Sequence, residues 1–269
     1  MNILVAVSLA AVLLYGTTAS AHPGDHHSVE ELDALLIDNP TEASLLIARG
    51  ALHTRLGHWD EAEQDLLQAQ DASDEATVAF ELANLYYRTG SYRKSLAYIN
   101  HFIDANPQYP PAFLLRARTA EASQQIDTAI NSYRTYLDIA QAPHPGDYLA
   151  SAELLASTGT EGIVGAIELL DAGIKKIGLT PQLQRYAMQL ELKREQKENA
   201  ITRWQSLEDQ LGNTLQYKIT LARLLILANK INEAKTILVL AKLQLSNMRS
   251  TPARISLGME LARMERRLE

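Results

Sequence analysis

A pattern that returns about every 34 residues constrains this chain more than any other feature in it. Ala62, Ser95, Ala129, Ala166, Ala200 and Ala234 are all small, each opens an amphipathic stretch, and they lie 33, 34, 37, 34 and 34 residues apart. The clearest copy runs from Ala76 to Pro107. Its first half puts Ala79, Leu82, Ala83 and Tyr86 on one helical face, Gly90 and Ser91 interrupt the run, and its second half puts Tyr92, Ser95, Leu96, Ile99, Phe102 and Ile103 at helical spacing. Pro107 stops it. The spacing predicts a helix hairpin in which Ala83 and Ser95 let the two axes approach to about 8–10 Å while Tyr86, Tyr92 and Phe102 fill the flanks. Such a hairpin cannot bury its own faces, so its copies must stack on one another as one elongated all-α array.

The repeats resemble the tetratricopeptide family. Gly50, Gly57, Trp59, Ala62 and Ala69 stand where that family expects Gly, Gly, Tyr, Ala and Ala. Ala83, Tyr86, Gly90, Tyr92 and Pro107 match in the second copy, and Phe113, Ala117, Ala129 and Tyr133 in the third. Later copies drift: Trp204 and Leu207 follow Ala200, and Leu238 and Ala241 follow Ala234, but the turn glycine is replaced by Glu195 and by Asn229. The resemblance covers residues 43–248 and implies a right-handed α-solenoid of about six hairpins, at 43–75, 76–109, 110–143, 144–180, 181–214 and 215–248. The single 37-residue interval places two or three extra residues in the loops around 143–146 and 159–162, expected as local insertions and not as a domain boundary.

Helical caps are expected at both ends. Residues 1–21 hold an apolar run from Ile3 to Tyr15, broken only by Ser8, and end in Ala19-Ser20-Ala21. That is the pattern of a cleaved secretory leader, which predicts export, to the periplasm in a Gram-negative cell, and a mature chain starting at His22. The segment before the run has no Lys or Arg, so retention as an anchor is the competing outcome. Residues 22–42 read as a His-containing leader and a short capping helix, opened by a Ser28/Glu31 capping box and closed by Asn39-Pro40. Residues 249–269 read as a last helix, with Thr251 as N-cap and Pro252 at its first position. Its charged residues suit a solvated outer face.

Composition removes several kinds of chemistry. A net charge of −7 argues against nucleic-acid binding, which needs an excess of Lys and Arg over the phosphates it neutralises. With no cysteine there is no disulfide, thiolate nucleophile or Cys-type zinc site. No H-E-x-x-H, phosphate loop or G-x-S-x-G elbow occurs, so no enzymatic activity is expected. No cofactor is expected either, with one exception. A chain beginning at His22 would offer its amine and imidazole to Cu(II), Ni(II) or Zn(II), with Asp25, His26 and His27 close by, as a weak divalent-metal site. His53 reads as a core-edge residue, His58 and His144 as turn residues and His101 as solvated; none is expected to be a ligand.

The resemblance also implies where a partner would sit. In the family the first helix of each hairpin lines a concave surface, and the residues facing it follow the small residue directly and again three or four positions on. Carried onto this chain, they are Ala51, Thr54 and Arg55 in the first hairpin, Asn84, Tyr87 and Arg88 in the second, and Arg118 and Glu121 in the third. Gln189, Lys193 and Arg223 extend the face in later copies. One subtype of the family grips a C-terminal carboxylate with Lys, Asn and Arg, but the matching places here include Ile47, Ala51 and Leu115, so that mode is not expected. The function implied is a protein-interaction scaffold for an unidentified protein or peptide partner, the alternative being a metal-handling accessory whose His tail binds the ion while the repeats dock a client enzyme.

Overall fold

The computed structural model describes residues 23–73, 76–249 and 251–268. They form helices, turns and short linkers, with no strand among them. The chain divides into two compact units, Met1–Ala140 and Gln141–Glu269. This corrects one expectation: the linker at 141–144 is the boundary between units and not an insertion within one array.

The first unit opens with α1 (Pro23–Asp38), followed by three hairpins: α2 (Ala43–Leu56) with α3 (Trp59–Ala72), α4 (Ala76–Arg88) with α5 (Tyr92–Ala105), and α6 (Pro110–Ala122) with α7 (Ile126–Ile139). Helix α1 begins five residues before Ser28, so the expected capping box lies inside the helix and does not start it. The second unit pairs α8 (Pro145–Ser157) with α9 (Thr160–Ile177), α10 (Pro181–Lys193) with α11 (Lys197–Gln205), and α13 (Leu215–Leu227) with α14 (Ile231–Ser246). A single turn, α12 (Glu208–Leu211), precedes α13, and α15 (Pro252–Arg266) packs on α14. Thr251 caps α15 as expected, its Oγ1 accepting from the Arg254 N–H at 3.3 Å.

Each hairpin closes on the small residue that set the period. All six of these, Ala62 to Ala234, have no exposed surface. Ser95 shows the contact in detail: its Oγ donates to the Ala83 carbonyl across the α4/α5 crossing at 2.7 Å. Gly50 does the same for α2 and α3, because a Cβ there would sit 2.7 Å from Leu66 Cγ. Bulk between hairpins comes from aromatics. Tyr86 stacks on Tyr98 at 5.6 Å and donates to Glu63 of the preceding hairpin at 2.6 Å. In the second unit Trp204 stacks on Tyr217 at 5.7 Å and donates Nε1–H to its carbonyl at 3.0 Å, joining α11 to α13.

The turns share one backbone device. The residue two before the second helix has φ between 60° and 83° in five hairpins: Gly57, Gly90, Gln124, Glu195 and Asn229. Glycine enters this left-handed region without penalty, whereas an L side chain is strained there. The 37-residue interval is resolved differently from expectation. Helix α9 is 18 residues long where α7 has 14, and Ala166 is its seventh residue where Ala129 is the fourth of α7. The extra residues are thus an added helical turn at the start of α9. Gly162 makes room for that turn, since a Cβ there would lie 2.0 Å from the Leu155 carbonyl oxygen.

Candidate functional site

In the first unit the first helices of neighbouring hairpins touch, α2 with α4 and α4 with α6. Side chains that the helix period turns away from α3, α5 and α7 therefore come to one wall. By that period Arg55 of α2, Asn84 and Arg88 of α4 and Arg118 of α6 belong to this side, while Tyr87 and Glu121 stand four residues after Ala83 and Ala117, on the side that meets α5 and α7. Arg88, Arg118 and Glu121 are exposed; Arg55, Asn84 and Tyr87 are half-buried.

The structure adds a residue that sequence reasoning passed over. Glu81, on α4 and half-buried, is hydrogen-bonded to Asn84 and feels the charges of both Arg55 and Arg88. Loss of water around its carboxyl is the larger effect and pushes its pKa up to about 7, with Asn84 and the two arginines pulling the other way. Four side chains are thus one electrostatic group: two guanidiniums, one carboxyl that changes charge near neutrality, and an amide that holds it. The signal was available. Glu81 lies one helical turn before Asn84 on the same face of α4.

Two other expected members are tied to their own hairpins. Tyr87 leans on Tyr92 with ring centroids 6.3 Å apart, so it braces the α4/α5 turn. Glu121 accepts from the Tyr133 hydroxyl at 2.9 Å. In the second unit Gln189 and Lys193 are exposed on α10, while Arg223 on α13 is bridged to Glu260 of α15.

The expected metal tail falls largely outside the described residues. His22 lies beyond them, and of Asp25, His26 and His27 only the helical backbone of α1 is described. Among the described residues no three His, Asp or Glu side chains are grouped as metal ligands. His53 and His58 do meet, Nδ1 to Nδ1 at 3.2 Å across the α2/α3 turn, and burial lowers the pKa of His53, which favours the neutral form of that ring. His144 caps α8 by accepting from the Gly146 N–H at 3.0 Å, and His101 is exposed. None of the described helices is long and apolar enough to cross a membrane.

Comparison with known proteins adds the following. Residues 76–109 match the model of the tetratricopeptide repeat, the same stretch that carries the clearest sequence pattern. No curated protein matches the chain by sequence. Among solved structures, a tetratricopeptide repeat protein from Parabacteroides merdae superposes with a TM-score of 0.51 at 16% identity, over 88% of this chain and 92% of that one. PilF of Pseudomonas aeruginosa gives 0.54 at 16% identity, over 74% of this chain and 90% of its own. The structure of Naa15/Naa10 bound to HypK-THB gives 0.54 at 17% identity, over 91% of this chain and 39% of that one. At these identities the likeness is one of fold.

Proposed function

We propose, from the premise that this is a tetratricopeptide-repeat chain, that it is a scaffold without catalysis of its own, and that the wall built by α2, α4 and α6 holds a partner segment bearing carboxylates. The observation that carries the reading is the Arg55–Glu81–Arg88 group beside Asn84 and Tyr87. With Glu81 ionised, the two guanidiniums are partly neutralised. With Glu81 protonated, Arg88 has one competitor fewer for an incoming carboxylate, which Arg binds through two parallel hydrogen bonds. A pKa near 7 makes that exchange of one carboxylate for another inexpensive at neutral pH. Tyr87 adds rigid contact area at the rim of the group.

The test is binding of the purified chain to an array of short acidic and basic peptides. Acidic segments should be retained, and Arg88→Ala should weaken them by roughly 30-fold, the equivalent of about 2 kcal/mol for a central anchor. Arg134→Ala, an exposed change on the second helix α7, should leave them unchanged. Equal retention by wild type and Arg88→Ala would sink the reading. We place this interaction outside the cytoplasm on the strength of the leader sequence at residues 1–21. A soluble chain whose mass begins at His22 is the expected result.

A further inference from the structure

The two ends of the described chain carry complementary halves of one repeat. In every hairpin the first helix uses its fourth and eighth residues to meet its own second helix. Leu46 and Gly50 do so in α2, Ala79 and Ala83 in α4, and Tyr148 and Ala152 in α8. The Ser95–Ala83 bond and the Tyr148 ring, 2.8 Å from where a Gly173 Cβ would stand, are direct instances of that contact. The eighth residue is buried in all six first helices, and the fourth in all but α13, where it is Lys218. In α15 the same two positions are Ile255 and Met259, and they are 55% and 53% exposed. Helix α15 is therefore built as a first helix, and among the described residues no second helix covers it.

At the other end α1 has the register of a second helix. Counting back from the last residue, its fourth place is Leu35, matching Ala69 of α3, Phe102 of α5 and Tyr136 of α7. Those three are at most 8% exposed, while Leu35 is 51% exposed: α1 packs on α2, but no described helix precedes it as the first helix of its own hairpin. Leu32 is half-buried where its counterparts Leu66, Ile99 and Tyr133 are at most 2% exposed. The expectation that α15 would present a solvated outer face is thus only half met. Its charged residues are outward, yet so is an apolar pair one turn apart.

Charge settles what would cover both faces. Residues 23–42 contain Asp25, Glu30, Glu31, Asp33, Asp38 and Glu42 and no Lys or Arg, and of these Asp33 is paired with Arg49 inside the first unit. Residues 249–268 contain five arginines, 249, 254, 263, 266 and 267, against Glu260 and Glu265. Both of those glutamates are already engaged inside the second unit, by Arg223 and Lys242. We propose that α15 of one copy takes α1 of a second copy as its second helix, so that copies join head to tail by completing a hairpin between them. This joint is heterologous, since the two surfaces differ, and copies add until the geometry closes or the supply ends. It is independent of the partner wall proposed above.

Sedimentation velocity of the purified chain tests it. Wild type should associate as its concentration rises through the micromolar range, and added salt should weaken the association because opposite charges steer and hold the two ends. Leu35→Glu blocks one end and Ile255→Glu with Met259→Glu blocks the other, all at exposed positions. Each variant alone should sediment as a monomer. An equimolar mixture should form a dimer and nothing larger, since each variant keeps the end its partner lacks. Circular dichroism confirms that both remain helical, and a milder pair, Leu35→Ser and Met259→Ser, repeats the experiment if either does not. A wild type that stays monomeric at its highest concentration overturns the proposal. So does a single-end variant that associates as wild type does, or a mixture of folded variants that stays monomeric.

Discussion

Arg49 offers a case in which the structure separates two ion pairs made by one side chain. Its Nε and Nη2 donate to Asp65 at 2.7 and 2.6 Å, a two-point contact between α2 and α3, while Nη1 reaches Asp33 of α1 at 2.6 Å. The bond to Asp65 is the main reason the guanidinium holds its proton even more firmly than usual, with Asp33 contributing less. The Asp65 side chain is only 6% exposed, whereas that of Asp33 is 53% exposed. Removing Arg49 as Ala strands a buried carboxylate, which costs about 3–5 kcal/mol. Converting Asp33 to Asn removes a surface pair worth about 0–1 kcal/mol. Replacing Arg49 and Asp65 together by Leu removes both charges, and such exchanges are neutral or stabilising when the volume packs. Hydrogen exchange of the α2 and α3 amides reads the effect at its source, which matters because two units need not unfold as one. The expected order is a large loss for Arg49→Ala, little for Asp33→Asn, and recovery in the double variant. If Asp33→Asn costs as much as Arg49→Ala, or the double variant stays as weak as Arg49→Ala, burial is not what ranks these pairs.

Two further outcomes follow from single residues. Glu81 binds its proton more tightly folded than unfolded, so the stability it lends is complete below about pH 4.5 and is lost as pH rises toward 7. Glu81→Gln should flatten that slope and leave the first unit about 1–2 kcal/mol more stable at pH 8 than the parent, a figure reduced for partial solvent access; denaturant titrations at pH 5 and pH 8 that show the same difference would refute it. Glu195 is exposed and held at φ 60°, so Glu195→Gly should raise the stability of the α10/α11 hairpin by about 0.5–1 kcal/mol, strain relief outweighing the added freedom of the unfolded chain. A lowered melting temperature would show that the turn carries no strain.

The six small residues at a 34-residue period were enough to read the hairpins, their order and their crossings from the sequence, because a position where two helix axes close tolerates no bulk. The turn register was legible for the same kind of reason: Gly57 and Gly90 mark a backbone conformation that costs other residues energy, and Glu195 and Asn229 could be placed by counting from them. Arg55, Asn84, Tyr87 and Arg88 are named as wall residues by the family resemblance, and helix geometry adds only that Asn84 and Arg88 stand one turn apart on one face. What the sequence did not hold was anything set by the surroundings of a residue instead of its spacing. Glu81 titrates near neutrality because neighbouring helices strip its water and bring Arg55 and Arg88 beside it, and no local pattern records that loss. The extra turn of α9 was hidden because three added residues look alike in a loop or a helix until packing against Leu155 decides. Ile255 and Met259 read from the sequence as ordinary members of an amphipathic helix. Only the tertiary structure shows that the face they occupy is the one the other first helices bury, Lys218 of α13 apart, since exposure belongs to the whole arrangement of helices and not to any one of them.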